Sequence, residues 1–523
     1  MSHYLAIDAG TGSVRAALFS ADGVFRGAGS RPWEHDPEPG VPGSMGFATE
    51  RNWGLVVECV REVLESTGVD AASIRGVAAS AMREGLVVLD AEGREIWACA
   101  NVDSRAGAEV VELQGVQTPD GPLLDEVYRR SGQTFALAAQ PRLLWLARHR
   151  PELYERAATV LMLSEWVAYR LSGERFMEPS NGSTSGMLSL ATRDADPFLA
   201  SACGLREDLL PAVAEPGTRI GSVHGEAAEA TGLAEGTVVA LGGGDAQLAA
   251  LGLAQTEPGQ VLLTAGTFWQ LNVNVGAPLT DPDMAVRVNA AAVAGLYQAE
   301  AIAFHPGTAV RWFRDTFAAE ELAAARAAGR DPLDVLTEAA EAVPIGSDGV
   351  IPIFSDVMSY RRWTHAAPSF LNLSLEAGPR LRAAMFRSLL ENAAIVSDAN
   401  LALVGRFAPV AADAPVVFAG GAANSAVWTQ ITADVLGRTL RVPAVTEATA
   451  QGTAACAAAA AGDFSSPGEA AQAWVRWDRE VEPDPHRHEQ YVPVKERWAT
   501  AYAAQRELML SGVTTPMWSA PGA

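Results

Sequence analysis

The stretch Leu5-Ala6-Ile7-Asp8-Ala9-Gly10-Thr11-Gly12-Ser13-Val14-Arg15-Ala16-Ala17-Leu18-Phe19 decides the fold. An apolar run ends in a polar turn, and a second apolar run follows and stops at Asp22-Gly23, a reversal signal. Residues 14–19 are too few for a typical helix, so the pattern predicts strand, turn, strand. Gly10-x-Gly12 superficially suggests a dinucleotide fingerprint. However, Arg15 stands where the third small residue belongs, and a strand follows where that motif requires a helix.

The same device recurs at Val261-Leu262-Leu263-Thr264-Ala265-Gly266-Thr267, followed by the alternating Leu271, Val273 and Val275. Ala-Gly-Thr occurs in both copies, and the copies divide the chain almost in half. The expectation is therefore an α/β protein of two duplicated domains with a cleft between them. Two strand-to-glycine junctions extend the pattern: residues 238–241 into Gly242-Gly243-Gly244-Asp245, and residues 416–419 into Gly420-Gly421, where Asn424 or Ser425 can cap a helix carrying Val427, Ile431 and Val435. The domains are expected at 1–244 and 245–488. A docked tail follows at 489–523, anchored by Trp498 and Trp518.

Composition narrows the class. With 49% apolar and 19% charged residues, the 523-residue chain has ample material for packed cores. Its 39 basic and 62 acidic residues leave a net charge of −23, which argues against nucleic-acid or anionic-membrane partners. Lys495 is the only lysine and has no glycine-loop context, so a P-loop and a protein-kinase lysine are excluded. Cys59, Cys99, Cys203 and Cys456 are widely spaced thiols without a C-x-x-C pair. They fit a cytoplasmic setting, as does the absence of a signal-peptide pattern at the start. The Ala-rich run 454–461 is far shorter than the ~20 residues of a membrane span. Gly182-Ser183-Thr184-Ser185-Gly186 has threonine where a nucleophile elbow needs serine, and His486 and His488 lie in a charged segment without companion ligands.

Glycine-threonine turns at both domain entrances can present N–H and hydroxyl groups to a polyphosphate, and Asp8 at its strand end can orient hydrated Mg²⁺. Either turn alone is also what an ordinary hairpin uses, and its repetition favours the phosphate reading. Asp245, after three glycines, can accept a proton from an attacking hydroxyl or serve as a helix N-cap; spacing leaves both open. Arg83-Glu84 and Asp103/Arg105 can read vicinal hydroxyls, although adjacent charges more often mark a solvated loop.

Taken together, these residues resemble the FGGY carbohydrate kinases, which have the ribonuclease-H-like, actin-like ATPase fold. The resemblance runs nearly end to end, through residues 8–15, Asp103-Ser104-Arg105, Gly242-Gly243-Gly244-Asp245, Ala265-Gly266-Thr267, Arg311-Trp312-Phe313-Arg314-Asp315, Gly420-Gly421 with Asn424, and residues 447–452. It implies ATP and Mg²⁺ as cofactors and Asp245 as catalytic base, with Asp8 and Asp245 toward the metal. It also implies that Gly10, Thr11, Gly12, Ser13, Gly266 and Thr267 contact phosphates, with Arg15 near the transferred group. Gly307, Gly420, Gly421 and Asn424 would lie at the nucleotide, and Arg83 and Glu84 at substrate hydroxyls.

Residues 41–45, 80–85, 96–103, 266–270 and 365–370 are most similar to the branch of the family that phosphorylates autoinducer-2, a five-carbon dihydroxy-diketone signal. Phe268-Trp269 replaces the small residues of glycerol kinases, and Ala246 their glutamine, so Trp269 is expected against the substrate. The implied partner is a small molecule, with a protein regulator possible. The rival readings are a kinase of another polyol or sugar (glycerol, xylulose, erythritol) and a nucleotide-gated binding protein of the actin-like fold.

Overall fold

A computed structural model describes residues 2–376 and 378–522. The opening stretch forms strands His3–Ala9 and Ser13–Ser20, antiparallel with Asp8 opposite Arg15. Its counterpart forms Val261–Ala265 and Trp269–Val275, antiparallel with Ala265 opposite Trp269. Both hairpins are as expected, and each seeds a mixed sheet.

The first sheet runs Arg219–Ser222, Val238–Gly244, Ile74–Ala81, His3–Ala9, Ser13–Ser20, Phe25–Pro32. The second runs Arg287–Ala290, Tyr297–Ala303, Trp269–Val275, Val261–Ala265, Val416–Ala419, Leu440–Pro443, Trp477–Val481. In each, the opening strand pairs antiparallel with the next and parallel with a later strand: Ile74–Ala81 in the first sheet, Val416–Ala419 in the second. A further parallel strand lies outside each, Val238–Gly244 and Leu440–Pro443. This shared 3-2-1-4-5 order is the duplication that the repeated turn signalled, and long crossovers supply the helices that cover the sheets.

Two helices fill the space between the sheets. Asp245–Gly252 turns Leu248 and Leu251 into the core of the first sheet and Ala250, with Leu253 just beyond the helix, toward Leu262 and Val417 of the second. Ala448–Ala460 crosses it backbone to backbone. A Cβ on Gly252 would meet the Ala448 carbonyl oxygen at 2.0 Å, and one on Gly452 would meet that of Leu248 at 2.0 Å. Only glycine permits that approach. The Ala-rich run is thus a closely packed internal helix that lies on the first sheet, where a Cβ on Gly76 would come within 2.7 Å of the Ala457 oxygen.

Helix Pro485–Leu510 runs unbroken through residue 488 and anchors on the second-sheet core through Tyr491, Trp498 and Tyr502. Among the described residues, no helix is long and apolar enough to cross a membrane. All four cysteines are buried and free.

Candidate active site

The cleft between the sheets holds a cavity of about 860 Å³, lined by Thr11 of the first turn, Thr267 of the second, Asp245, Arg83 and Glu84. These residues lie up to 256 positions apart (267 − 11) and meet because every one of them sits at or just beyond the end of a core strand. Loops at strand ends, carried by a rigid scaffold, are where α/β proteins place their ligands.

Strand Val238–Gly244 ends in three glycines because the backbone there is crowded. A Cβ on Gly242 would lie 1.9 Å from the Ala79 oxygen, and one on Gly243, at φ 158°, would meet Ser180 Oγ at 2.2 Å. Ser180 Oγ in turn accepts from the Gly244 N–H at 3.1 Å. Asp245 then opens its helix without capping it, since no side chain caps that N-terminus from Gly244, and its carboxylate stands 40% open to the cleft. Partial burial in the walled cavity pushes its pKa up to about 6; Arg83 Nε, 3.7 Å away, pulls it back, and the charge of Asp8 raises it again.

Arg83 is held from behind by Glu300, whose carboxylate accepts from Nη1 at 2.5 Å. Burial lowers the Arg83 pKa, but Glu300, Glu84 and Asp245 outweigh it and raise the guanidinium above its usual value. Glu84 adopts a left-handed backbone, φ 66°, and pairs with Arg287 Nη1 at 2.6 Å. Burial pushes its carboxyl up, yet Arg287 and Arg83 hold it below the usual range. Two arginines and two glutamates thus neutralise one another in a buried quartet, as buried charges must. Gln133 extends it, accepting from Arg287 Nε at 2.8 Å and from the Tyr360 hydroxyl at 3.3 Å. Arg287 Nη2 and Asn101 Oδ1, both on cavity-lining residues, are buried without partners, one a donor and one an acceptor suited to acceptor-substrate hydroxyls.

The first turn is braced from below. Trp33 Nε1 donates to the Gly10 carbonyl at 2.9 Å, and Asn101 Nδ2 to Thr11 Oγ1 at 3.0 Å, while Thr11, Gly12 and Ser13 stay exposed and Thr11 lines the cavity. Asp8 accepts from Ser80 Oγ at 2.8 Å; burial and then Glu447 raise its pKa against Ser80 and Arg15. Arg15 pairs with Glu447 at 2.8 Å, at the start of the inter-sheet helix.

The second turn packs against Gly307, where a Cβ would lie 2.3 Å from the Gly266 oxygen, and against Gly420, at φ 99°, where one would lie 2.7 Å from the Ala265 oxygen. Gly421 and exposed Asn424 follow in a short 3₁₀ turn, and Ser425, rather than Asn424, caps helix Ala426–Leu436 through the Trp428 N–H at 3.2 Å. Arg311 Nη2 donates to Thr267 Oγ1 at 3.2 Å, adding a cation to this side.

Asp8 and Asp245 are the two carboxylates at these strand ends that could hold Mg²⁺ carried on nucleotide phosphates, since that ion takes one or two carboxylates and keeps waters and phosphates as its other ligands. Among the described residues, no group of three or more His, Cys, Asp or Glu could hold a metal by itself.

Trp269 departs from its expected place. Its side chain is fully buried in the second-sheet core against Phe418 and Trp428, and Phe268 and Gln270 line the cavity instead. The strand alternates, so Trp269 falls on the same face as Leu271, Val273 and Val275. Asp103 and Arg105 form a buried pair at 2.8 Å, with Asp103 accepting from the Met45 N–H at 2.5 Å and Arg105 lying over the Trp97 and Trp145 rings. They are a structural latch at the cavity edge. Sequence reasoning missed Glu300, Arg287, Gln133 and Tyr360, and named Arg311 only within a motif, with no site role; polar residues inside otherwise apolar strands were the available signal for the first two.

The chain is similar to known proteins along nearly its whole length. The chain is 49% identical over 521 residues to the autoinducer-2 kinase of Salmonella paratyphi B, covering 99% of this chain and 98% of that one. It is 48% identical over 520 residues to that of Escherichia coli strain K12, with the same coverage. Its fold superposes on a xylulose kinase from Rhodospirillum rubrum with TM-score 0.83 at 24% identity, covering 97% and 100% of the two chains. For the ADP-bound glycerol kinase of Plasmodium falciparum the TM-score is 0.82 at 16% identity, covering 96% and 98%. The models for the N-terminal and C-terminal domains of FGGY carbohydrate kinases match residues 3–252 and 261–461. With both turns, the strand-end aspartate and all but the last strand of the two sheets within those spans, the chain belongs to the FGGY family of carbohydrate kinases.

Proposed function

We propose that the protein transfers the γ-phosphoryl group of ATP to the terminal hydroxyl of open-chain autoinducer-2, 4,5-dihydroxy-2,3-pentanedione. The charged product cannot recross a membrane, so the signal would be retained in the cell. The observation that carries the reading is the cavity joining Asp245, Arg83 and Glu84 to both glycine-threonine turns, in a chain similar along its whole length to autoinducer-2 kinases.

In this reading residues 1–244 bind the acceptor and phosphates, residues 245–488 bind the nucleotide, and residues from 489 onward pack on both. Arg83 and Glu84 orient the acceptor diol, one donating and one accepting. Asp245 takes the hydroxyl proton as the oxygen attacks phosphorus, which needs only a carboxylate within hydrogen-bond reach. Gly10, Thr11, Gly12 and Ser13 face the phosphates from one side, with Arg15 near the transferred group. Gly266 and Thr267 face them from the other, and Gly307, Gly420, Gly421 and Asn424 line the nucleotide. Asp8 and Asp245 would hold the nucleotide's Mg²⁺, whose chemistry is neutralisation of phosphate charge.

Asp245→Asn tests the assignment. The exchange keeps shape and removes basicity, so kcat should fall by about 10²–10⁴-fold while ATP binding by calorimetry persists. Near-normal turnover in the folded variant would reject Asp245 as the base. In the native enzyme the base works only when ionised, and its pKa is raised to about 6. Accordingly kcat/KM should hold above that pH and fall tenfold per unit below it.

A further inference from the structure

Beyond helix Pro485–Leu510, the chain crosses the mouth of the active-site cavity. The Met517 N–H donates to the Ala366 carbonyl at 3.1 Å, in the second half of the molecule. Trp518 packs on Phe304, Trp363 and His365, with ring centroids 5.3, 5.3 and 5.9 Å away. Ala520 is buried, and Gly522, at φ 74°, lies so close to helix Gly107–Gly115 of the first half that a Cβ would meet Val110 Cγ1 at 2.7 Å. Residues 518–522 all line the cavity. The segment is a strap tied to both halves, and it lies outside both spans matched by the family models.

The strap completes a wall unlike the opposite one. Asp245, Arg83, Glu84 and Arg287 make one end of the cavity ionic. From Arg287, whose guanidinium lies over Tyr360 at 5.8 Å, a run of rings leads away: Tyr360 to Trp363 at 4.9 Å, then Trp518, Phe304 and Phe268. Within it, Trp363 is 4% exposed and lines the cavity, yet its indole N–H has no hydrogen-bond partner. It also holds a left-handed backbone, φ 49°, a conformation that costs free energy for a bulky residue and persists where the surroundings impose it. An indole N–H only donates. It therefore matches a carbonyl oxygen, which accepts without bringing a donor of its own, whereas a hydroxyl in its place would leave its O–H among rings with no acceptor; flat aromatic surface likewise suits a planar dicarbonyl better than a chain of hydroxyls.

We infer that Trp363 and the strap of residues 517–522 form a subsite that takes the carbonyl-bearing end of the acceptor and selects it over simple polyols. This rests on the phosphorylation of a dihydroxy-diketone proposed above. The test measures steady-state kinetics with 4,5-dihydroxy-2,3-pentanedione and with glycerol, for the wild type, Trp363→Phe and a variant ending at Pro516, alongside melting temperature and ATP affinity. Trp363→Phe keeps the ring and loses the donor. Its KM for the pentanedione should rise about tenfold, equal to about 1.4 kcal/mol, with kcat within about twofold and glycerol kinetics unchanged. The shortened variant should lose at least about tenfold of its preference for the pentanedione over glycerol.

An unchanged preference in folded, ATP-binding Trp363→Phe overturns the subsite, and that variant decides alone should the shortened chain not fold. Failure of the underlying reading shows separately, as a wild type that yields no phosphorylated pentanedione.

Discussion

The two glycine-threonine turns share a backbone and differ in chemistry. Aligning Ala9-Gly10-Thr11 with Ala265-Gly266-Thr267 sets Asp8 opposite Thr264, Gly12 opposite Phe268 and Ser13 opposite Trp269. The first turn thus keeps a carboxylate at its strand end and small exposed residues at its tip. The second gives up the carboxylate, buries its tryptophan in the core, presents Phe268 to the cavity and receives Arg311 from a neighbouring helix. Duplication of the scaffold left each copy free to specialise: in the proposed reading the first orients metal and transferred phosphate and the second closes around the nucleotide, while Phe268 of the second shapes the cavity.

That division is open to direct attack. Asp8→Asn should have the largest effect, because it removes one of the two carboxylates proposed to hold the metal. We expect a loss in kcat of about 10²-fold or more, partly restored by high Mg²⁺, read in coupled assays across Mg²⁺ concentration. Thr264→Asp, which restores the missing carboxylate to the second turn, should not rescue it. Gly307→Ala comes next. A methyl 2.3 Å from the Gly266 oxygen must displace the second turn, so KM for ATP should rise and stability fall by about 1–3 kcal/mol in urea melts, with acceptor affinity little changed. Arg311→Ala should be mildest. Arg311 is exposed and holds Thr267 by one hydrogen bond, so a few-fold rise in KM for ATP with kcat retained is expected. Equal effects of Asp8→Asn and Arg311→Ala would erase the distinction between the turns.

The same contrast explains what is legible in the sequence. Both hairpins can be read because turn residues and apolar alternation coincide there, and Gly242-Gly243-Gly244-Asp245 announces itself because only crowded backbone requires three glycines in a row. The size of Trp269 and its place beside the turn suggest a substrate contact, although its period-two spacing with Leu271, Val273 and Val275 already assigns it to the core. Glu300 and Arg287 stand out in the sequence only as polar residues within strands, not as partners of Arg83 and Glu84. Their pairing with Arg83 and Glu84 is made across strands of different halves, and no local pattern encodes it. The strap reads only as a docked tail, since nothing in its sequence says that it docks over a cavity.

The central claim is the identity of the acceptor. Purified enzyme with Mg²⁺-ATP should be offered 4,5-dihydroxy-2,3-pentanedione, glycerol, xylulose and erythritol in competition, with products resolved by mass spectrometry. Phosphorylated pentanedione is the expected dominant product. A dominant phosphorylated polyol would contradict the acceptor assignment and keep the kinase, while no phosphorylated product from folded, ATP-binding protein would contradict both.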